Sequence, residues 1–574
     1  MLTAESPSIS RFASIPAISR RSKIVVGLAA MLHLAALGLM LATEVDLVAK
    51  LIFLLFWALL NFSWLTMFRR PSVAAILSLE LVAALIVLSQ FKHDKLWMTA
   101  DFVDVMIVDH DTSAFLLAAF PSLRLPIAAA AIATAVFLAL AWHLDPVRIR
   151  ARTSSLYGML CLGSIIALSL SRPTGLHEDF LGQNYVSKFA RTGIEAIHEL
   201  LSHGYLDADL RVAEGPKSNL STTCKPTAAL PNIILLHDES SFDITAAPGI
   251  KVPPDYERYF QSFDGKARKL IVEGAGGPSW FTEYNVLTGL SALSFGRFAT
   301  SVTRIAAGHI RRGLAHSLSQ CGYKTFTLYP FYGAFLGSRA FQTTTGIQHY
   351  EDMRDLGTRN FEADSFYFDQ AIRTIARNRD TSPLFIYVYT VANHFPWDTR
   401  LRPELTPNWL DLGNASDVDE YIRRQTMTAS DYRALLNRLA HEFPTESFVI
   451  VRYGDHQPPF APRLIDPSLS QEALARHLEA FDPRYYTTYY AIDTVNFAPV
   501  DLSGALDTLD APYLPLVVQA AAGVPLDPSF FEQKNILMRC RGLFYRCQGG
   551  AEARRFNRLL IEAGLIKGLQ KPRV

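Results

Sequence analysis

The sequence predicts two fold classes in one chain: a multi-pass α-helical membrane part of about five spans, then an α/β domain with a mostly parallel central sheet. Three observations predict this. Long apolar blocks crowd the first 172 residues. Beyond residue 230, apolar strand-like runs alternate with helical patterns, the order that builds a parallel sheet covered on both faces. Those runs also end in acidic, hydroxyl or histidine residues, as strands do when ligands bind at their carboxyl ends. With 574 residues there is room for two or three domains. The 55 basic and 54 acidic residues nearly cancel, so net charge gives no argument for a nucleic-acid partner.

The apolar blocks lie near 24–42, 51–67, 73–88, 127–143 and 157–171. Each approaches the roughly 20 residues that cross a bilayer. The third is short and reaches across only with tilt or help from its flanks. One block could be a signal peptide, but five could not. Basic residues set the orientation: Arg20, Arg21 and Lys23 precede the first block, Arg69 and Arg70 follow the second, and Arg148, Arg150 and Arg152 follow the fourth. With five spans all three groups fall on one side, which the positive-inside rule makes cytoplasmic. Everything after about residue 172 is then outside, in the periplasm if the cell is a bacterium. The chain thus divides into a membrane part at 1–172, a connector at 173–230 and an exported domain at 231–574.

Within the membrane part, 90–126 mixes charge with apolar residues such as Trp97, Phe102 and Ile107. It reads either as an amphipathic segment on the outer membrane surface or as a partly ordered loop. In the connector a helix is expected near 186–201, and 218–231 is a Ser/Thr/Pro-rich linker. Cys161 sits in the fifth span as an apolar filler. Cys224, Cys321, Cys540 and Cys547 are all exported, an even number that permits disulfides. Cys540 and Cys547 can close a small loop, which leaves Cys224 with Cys321.

The exported domain opens on the apolar run 231–236, followed by His237, Asp238 and Glu239. This pattern suits a buried central strand, with Glu239 at its functional end. Such a glutamate is commonly an ordinary loop acid. His237 and Asp238 are expected to point elsewhere. A second strand, at 268–272, leads through Gly276, Gly277 and Pro278 to Ser279, at or next to the N-cap of a helix. A helix start favours anions, and a cation there would help the hydroxyl act as a nucleophile. The simpler reading is that Ser279 caps the helix. Helices at 366–377 and 429–442 each precede a further strand, one running into Asn393 and His394, the other into Asp455 and His456. Strand ends would bring Glu239, Ser279, His394, Asp455 and His456 to one edge. Glu239, Ser279, Asp455 and His456 suit one divalent cation, Mn²⁺ or Zn²⁺, with Mg²⁺ a further candidate.

These motifs resemble the alkaline phosphatase–sulfatase superfamily, in particular the branch of lipoteichoic acid synthases and periplasmic phosphoglycerol transferases. The resemblance rests on Asp238-Glu239-Ser240, on Ser279 with Glu283 four residues on, on Asn393-His394-Phe395-Pro396, and on Tyr453-Gly454-Asp455-His456. It implies five spans and an extracytoplasmic catalytic domain. It also implies transfer of a phosphoglycerol-type head group from a membrane phospholipid, such as phosphatidylglycerol, to a periplasmic glycan or polymer. Ser279 would be the nucleophile where the branch usually has threonine. His394 would shuttle a proton or contact the phosphate, and Arg339 would clamp a phosphate oxygen. Tyr329-Pro330 stands where a substrate histidine is expected. The cysteine motif that sulfatases convert to formylglycine is absent. Phosphoethanolamine transfer, hydrolysis with water as acceptor, and an inactive membrane sensor or scaffold are the other readings.

Overall fold

The computed structural model describes residues 20–209, 224, 226, 229–379 and 382–570. Most of the expected linker at 218–231 lies outside them. Among the described residues, five helices are long and apolar enough to cross a membrane: α1 (Arg20–Thr43), α2 (Leu47–Phe68), α3 (Pro71–Leu96), α5 (Arg124–Leu144) and α6 (Ala151–Ser171). The shorter α4 (His110–Ala119) lies between the third and fourth of these. The short third block is extended by its flanks, as expected. It runs 26 residues, because the helix continues through Lys92, Asp94 and Lys95 after its apolar stretch has ended. Asp46 starts α2 by accepting hydrogen bonds from the Val48 and Ala49 amides.

The chain forms two compact units, and they interleave along the sequence. The first comprises Met1–Leu88, Ser122–Arg172 and Gln183–Ala190; the second comprises Ser89–Pro121, Pro173–Gly182 and Arg191–Val574. Inside the first, Phe62 of α2 stacks on Tyr157 of α6 with ring centroids 5.5 Å apart. The expected connector helix is α7 (Tyr185–Ser202).

The stretch at 90–126 is not a loose loop: it carries a 3₁₀ turn and α4, and most of it packs into the second unit. Residues 89–121 belong to the second unit. There Val103 joins the main core, while Trp97 packs in a smaller cluster with Ala275 and Tyr485. Asp101 caps a short 3₁₀ turn, Phe102–Ile107, and Lys92 pairs with Asp104 at 2.7 Å. Asp101, Asp104 and Lys92 thus cap and tie the segment.

An eight-stranded sheet organises the second unit. Its strands are β1 (Asn232–Asp238), β2 (Arg268–Ile271), β3 (Lys324–Leu328), β4 (His349–Glu351), β5 (Leu384–Thr390), β6 (Phe448–Gly454), β7 (Thr487–Val495) and β8 (Thr508–Asp510). The order is β4-β3-β5-β1-β6-β7-β2-β8, parallel from β4 to β6, with β7 antiparallel to both its neighbours. Ile233 to Leu236, all of β5 and all of β6 are buried, as continuous apolar strands covered on both faces must be. Helices Asp364–Arg377 and Ser416–Glu442 supply part of that cover. Register decides where function falls: Asp238 pairs with Thr390 of β5 and Gly454 of β6, so the three strands end level. Both expected disulfides are present, Cys224–Cys321 and Cys540–Cys547.

One buried acid away from that edge sets a pH dependence. Burial pushes the Asp510 carboxyl up to about 7, aided by nearby Glu273 and opposed by the hydrogen bond from the Phe544 amide. A folded-state value above the unfolded one means that the unfolded chain loses this proton first. The acid's contribution to stability is therefore greatest below about pH 4 and declines as pH rises towards 7. Asp510→Asn should raise the melting temperature at pH 8, by up to about 4 kcal/mol of stability, and change it little at pH 4. Melting curves of both proteins across that range are the check, and parallel curves would remove Asp510 as the cause.

Candidate functional site

The sheet edge collects the chemistry. β1 gives way to Glu239, and Ser240 turns the chain with a φ of +50°. That left-handed turn aims the Ser240 amide at Asp455, whose Oδ1 accepts from it at 2.7 Å. At the end of β6 a glycine is required, since a Cβ on Gly454 would come within 1.8 Å of the Ser241 carbonyl oxygen. Asp455 and His456 follow at once.

The segment after β2 carries the nucleophile candidate. Gly276 and Gly277 have positive φ, and α8 (Ser279–Thr288) begins immediately after Pro278. Ser279 is the first residue of α8 and does not act as its side-chain cap. Its hydroxyl instead lies 3.0 Å from Glu239 Oε2 and 3.1 Å from His456 Nε2. His456 Nε2 is also 3.3 Å from Glu239 Oε1 and 3.4 Å from Asp455 Oδ2. Thr282, one turn along α8, donates to the Asp455 carbonyl at 2.6 Å and binds the helix to this edge. All four residues expected at a metal site therefore meet, and all are buried.

The electrostatics suit a cation. Burial works against the charge on Glu239, but the His456 hydrogen bond and the neighbouring histidines outweigh it, so the carboxyl is held well below its ordinary range. Burial alone would strip His456 of its proton; Asp455 and Glu239 instead push its pKa up to about 9. Two buried carboxylates thus hold a positive charge among them, and a divalent ion would feel the same pull. Carboxylate, imidazole and hydroxyl donors within about a hydrogen bond of one another fit Zn²⁺ or Mn²⁺.

His394 is mostly buried beside the cluster, among Phe331, Phe361 and Phe395. Burial lowers its pKa, against the pull of Glu239. Its Nδ1 lies 2.6 Å from the Phe395 carbonyl oxygen, to which it must donate. That leaves Nε2 as the basic nitrogen.

Two expectations need correction. Arg339 is not joined to the cluster. Its guanidinium donates to Asp352 and Asp355, each at 3.0 Å, and lies over the Tyr350 ring. Two acids already satisfy it. His237, by contrast, points into the site. Residues two apart on a strand share a face, so His237 and Glu239 go one way while Asp238 goes the other, to Tyr259 and Tyr489. Nε2 of His237 is 3.1 Å from Asp455 Oδ2, and Nδ1 is 2.8 Å from the Tyr387 hydroxyl and 2.9 Å from that of Tyr453. A carboxylate only accepts, so Nε2 carries the proton and the tyrosines can donate to Nδ1. One ligand atom each of His237, Glu239 and Asp455 lies within 4.8 Å of the others. With Nε2 donating, His237 holds Asp455 in place. Tyr389, whose ring stacks on His237 at 3.8 Å, donates to Glu239 at 2.8 Å. Strand parity was the signal for His237; nothing in the sequence marked Tyr389.

Residues 280–485 match the family model described as Sulfatase, a span that includes His394, Asp455 and His456 and begins one residue after Ser279. An uncharacterized protein of Haemophilus influenzae is 25% identical over 208 residues, 34% of this chain and 37% of that protein. A putative cyclic beta-1,2-glucan modification protein of Rhizobium meliloti is 25% identical over 240 residues, 40% of this chain and 36% of that one. The matches thus span little more than a third of either relative. Among solved structures, the phosphoglycerol transferase GacH of Streptococcus pyogenes, in complex with sn-glycerol-1-phosphate, is 16% identical with a TM-score of 0.45, covering 61% of this chain and 88% of that one. The lipooligosaccharide phosphoethanolamine transferase A of Neisseria meningitidis, an integral membrane protein, is 11% identical with a TM-score of 0.44, covering 87% and 99%.

Proposed function

With a sulfatase-family domain at 280–485 as the premise, we propose that the protein is a phosphotransferase of the cell envelope. It moves a phosphoglycerol-type head group from a membrane phospholipid to a hydroxyl on a periplasmic glycan or polymer. The observation that carries this reading is the buried Ser279 hydroxyl between Glu239 and His456 at the sheet edge. The five membrane-length helices support a lipid donor.

Glu239, Asp455, His456 and the Ser279 hydroxyl would hold one divalent cation, which would favour the serine alkoxide and offset phosphoryl charge. The rest falls to the chain's own groups. Ser279 Oγ attacks the phosphodiester phosphorus, a P–Oγ bond forms, and the bond to the diacylglycerol oxygen breaks. His394, through Nε2, takes the proton that Ser279 gives up and passes it to that leaving oxygen; it later takes one from the acceptor hydroxyl and returns it to Ser279 Oγ as the serine is displaced. The acceptor oxygen then displaces Ser279 from phosphorus and carries the head group away. Buried and neutral near pH 7, His394 is suited to both duties.

The test is incubation of the full-length protein with phospholipids labelled in the head group or in the acyl chains. Head-group label should appear on Ser279 while acyl label leaves as diacylglycerol. The mass of the adduct separates phosphoglycerol from phosphoethanolamine. Acyl label on the protein, or release of phosphatidic acid, would contradict the reading.

A further inference from the structure

A cavity opens beside the glycine turn that precedes Ser279. It is a cleft of about 310 Å³, at the small end of the range for small-molecule sites. Phe395, Trp397 and Phe460 form its floor in edge-to-face contact, with centroids 6.4 Å apart for the first pair and 5.0 Å for the second. Its walls adjoin the segments that carry His394 and Ser279. Phe395 directly follows His394. Trp97 and Pro459 both border the cleft and press on Gly276, three residues before Ser279. A Cβ on Gly276 would stand 3.5 Å from the Trp97 Cβ and 3.6 Å from the Pro459 Cα. At Gly277 a Cβ would come within 2.5 Å of Leu96 Cδ2, so the Leu96-Trp97 corner fits closely against the glycines that lead to the nucleophile.

The rim indicates what fits. Its two cations are held on ring faces, Arg463 over Trp97 at 5.4 Å and Lys95 over Phe120 at 5.5 Å. Its three acids are less committed: Asp94 stands 4.0 Å from His93 Nδ1, Asp398 accepts a hydrogen bond from Thr399 at 3.2 Å, and Asp417 one from the Val418 amide at 2.9 Å. An anion would meet these carboxylates and poorly placed cations. An aliphatic chain would leave them without partners. A sugar ring suits both surfaces, because one face presents C–H groups to aromatic rings while its edge carries hydroxyls that donate to carboxylates.

We propose that this cleft is the acceptor subsite and that it receives a neutral pyranose of a glycan. The proposal rests on the transferase reading, and its test is arranged to fail separately. Full-length Ser279→Ala protein, held in a detergent without a sugar head group, is titrated with neutral trisaccharides of α- and β-linked glucose and galactose. Tryptophan fluorescence and calorimetry report binding with no turnover required. At least one trisaccharide should saturate the site, and adding Asp398→Ala with Asp417→Ala should weaken it about 10-fold or more. Glycerol phosphate at matched concentration should not displace it. The proposal is overturned if none of the trisaccharides binds, if the two aspartate changes leave binding intact, or if glycerol phosphate competes. With Ser279 restored, the two changes should lower by a similar factor the share of head-group label passed to sugar relative to water. Absence of label on Ser279 with every lipid would defeat the transferase reading and leave the binding result to be judged on its own.

Discussion

Ser279→Ala should release diacylglycerol at least on the order of 10³-fold more slowly than the parent and take up no covalent label, while melting close to it. Ordinarily such a loss at a helix start is ambiguous, because removing a capping serine costs about 0.5–2 kcal/mol. Here Ser279 is the first residue of α8 and not its cap, and its hydroxyl bonds Glu239 and His456. No helix cap is lost with it, so a failed activity in a folded variant reports on the site. Ser279→Thr keeps an attacking hydroxyl and should retain activity, whereas Ser279→Asn and Ser279→Asp should fail. A folded Asn variant turning over lipid at the parental rate would place the nucleophile elsewhere.

The second large effect concerns the ion. Replacing Glu239, Asp455 or His456 with alanine should abolish turnover and leave the purified protein short of metal, since each supplies a donor within 3.4 Å of another. His237→Gln should behave differently. The ligands all remain, but Asp455 loses the partner that orients it, so metal affinity should fall about 10–100-fold without disappearing. Activity should recover in part when metal is raised. Chelator competition measures both classes of variant. If His237→Gln binds no metal at any concentration, His237 is a ligand; unchanged affinity would deny it any part in holding Asp455.

Much of this site was legible because a buried parallel strand has a simple grammar. Its middle must be apolar, so the first polar residues mark its end, and Glu239, His394 and Asp455-His456 were found in that way. The separate runs could not reveal register, which depends on backbone pairing across the sheet. His237 lay within reach of the sequence, since alternation puts it with Glu239 and sends only Asp238 the other way. Arg339 is paired elsewhere, and the sequence could not show it: Asp352 and Asp355 become its neighbours only once the intervening chain turns back. Hydropathy also cut α3 short. A helix ends where capping and hydrogen bonding end it, and that need not coincide with the loss of apolar residues.

The central place of β1 also bears on how the protein is made. His237 and Asp455 are 218 residues apart in the chain and in contact in the fold. A polypeptide emerges amino end first, so β1 exists long before β5 and β6 can flank it. Until they arrive, an apolar strand has two open edges and no sheet to join. Long-range pairing of this kind folds slowly, and a nascent chain stalled before β6 would expose β1 to other chains. Truncations ending between β5 and β6 should aggregate, and only a chain extending past Asp455 and His456 can assemble the site at all.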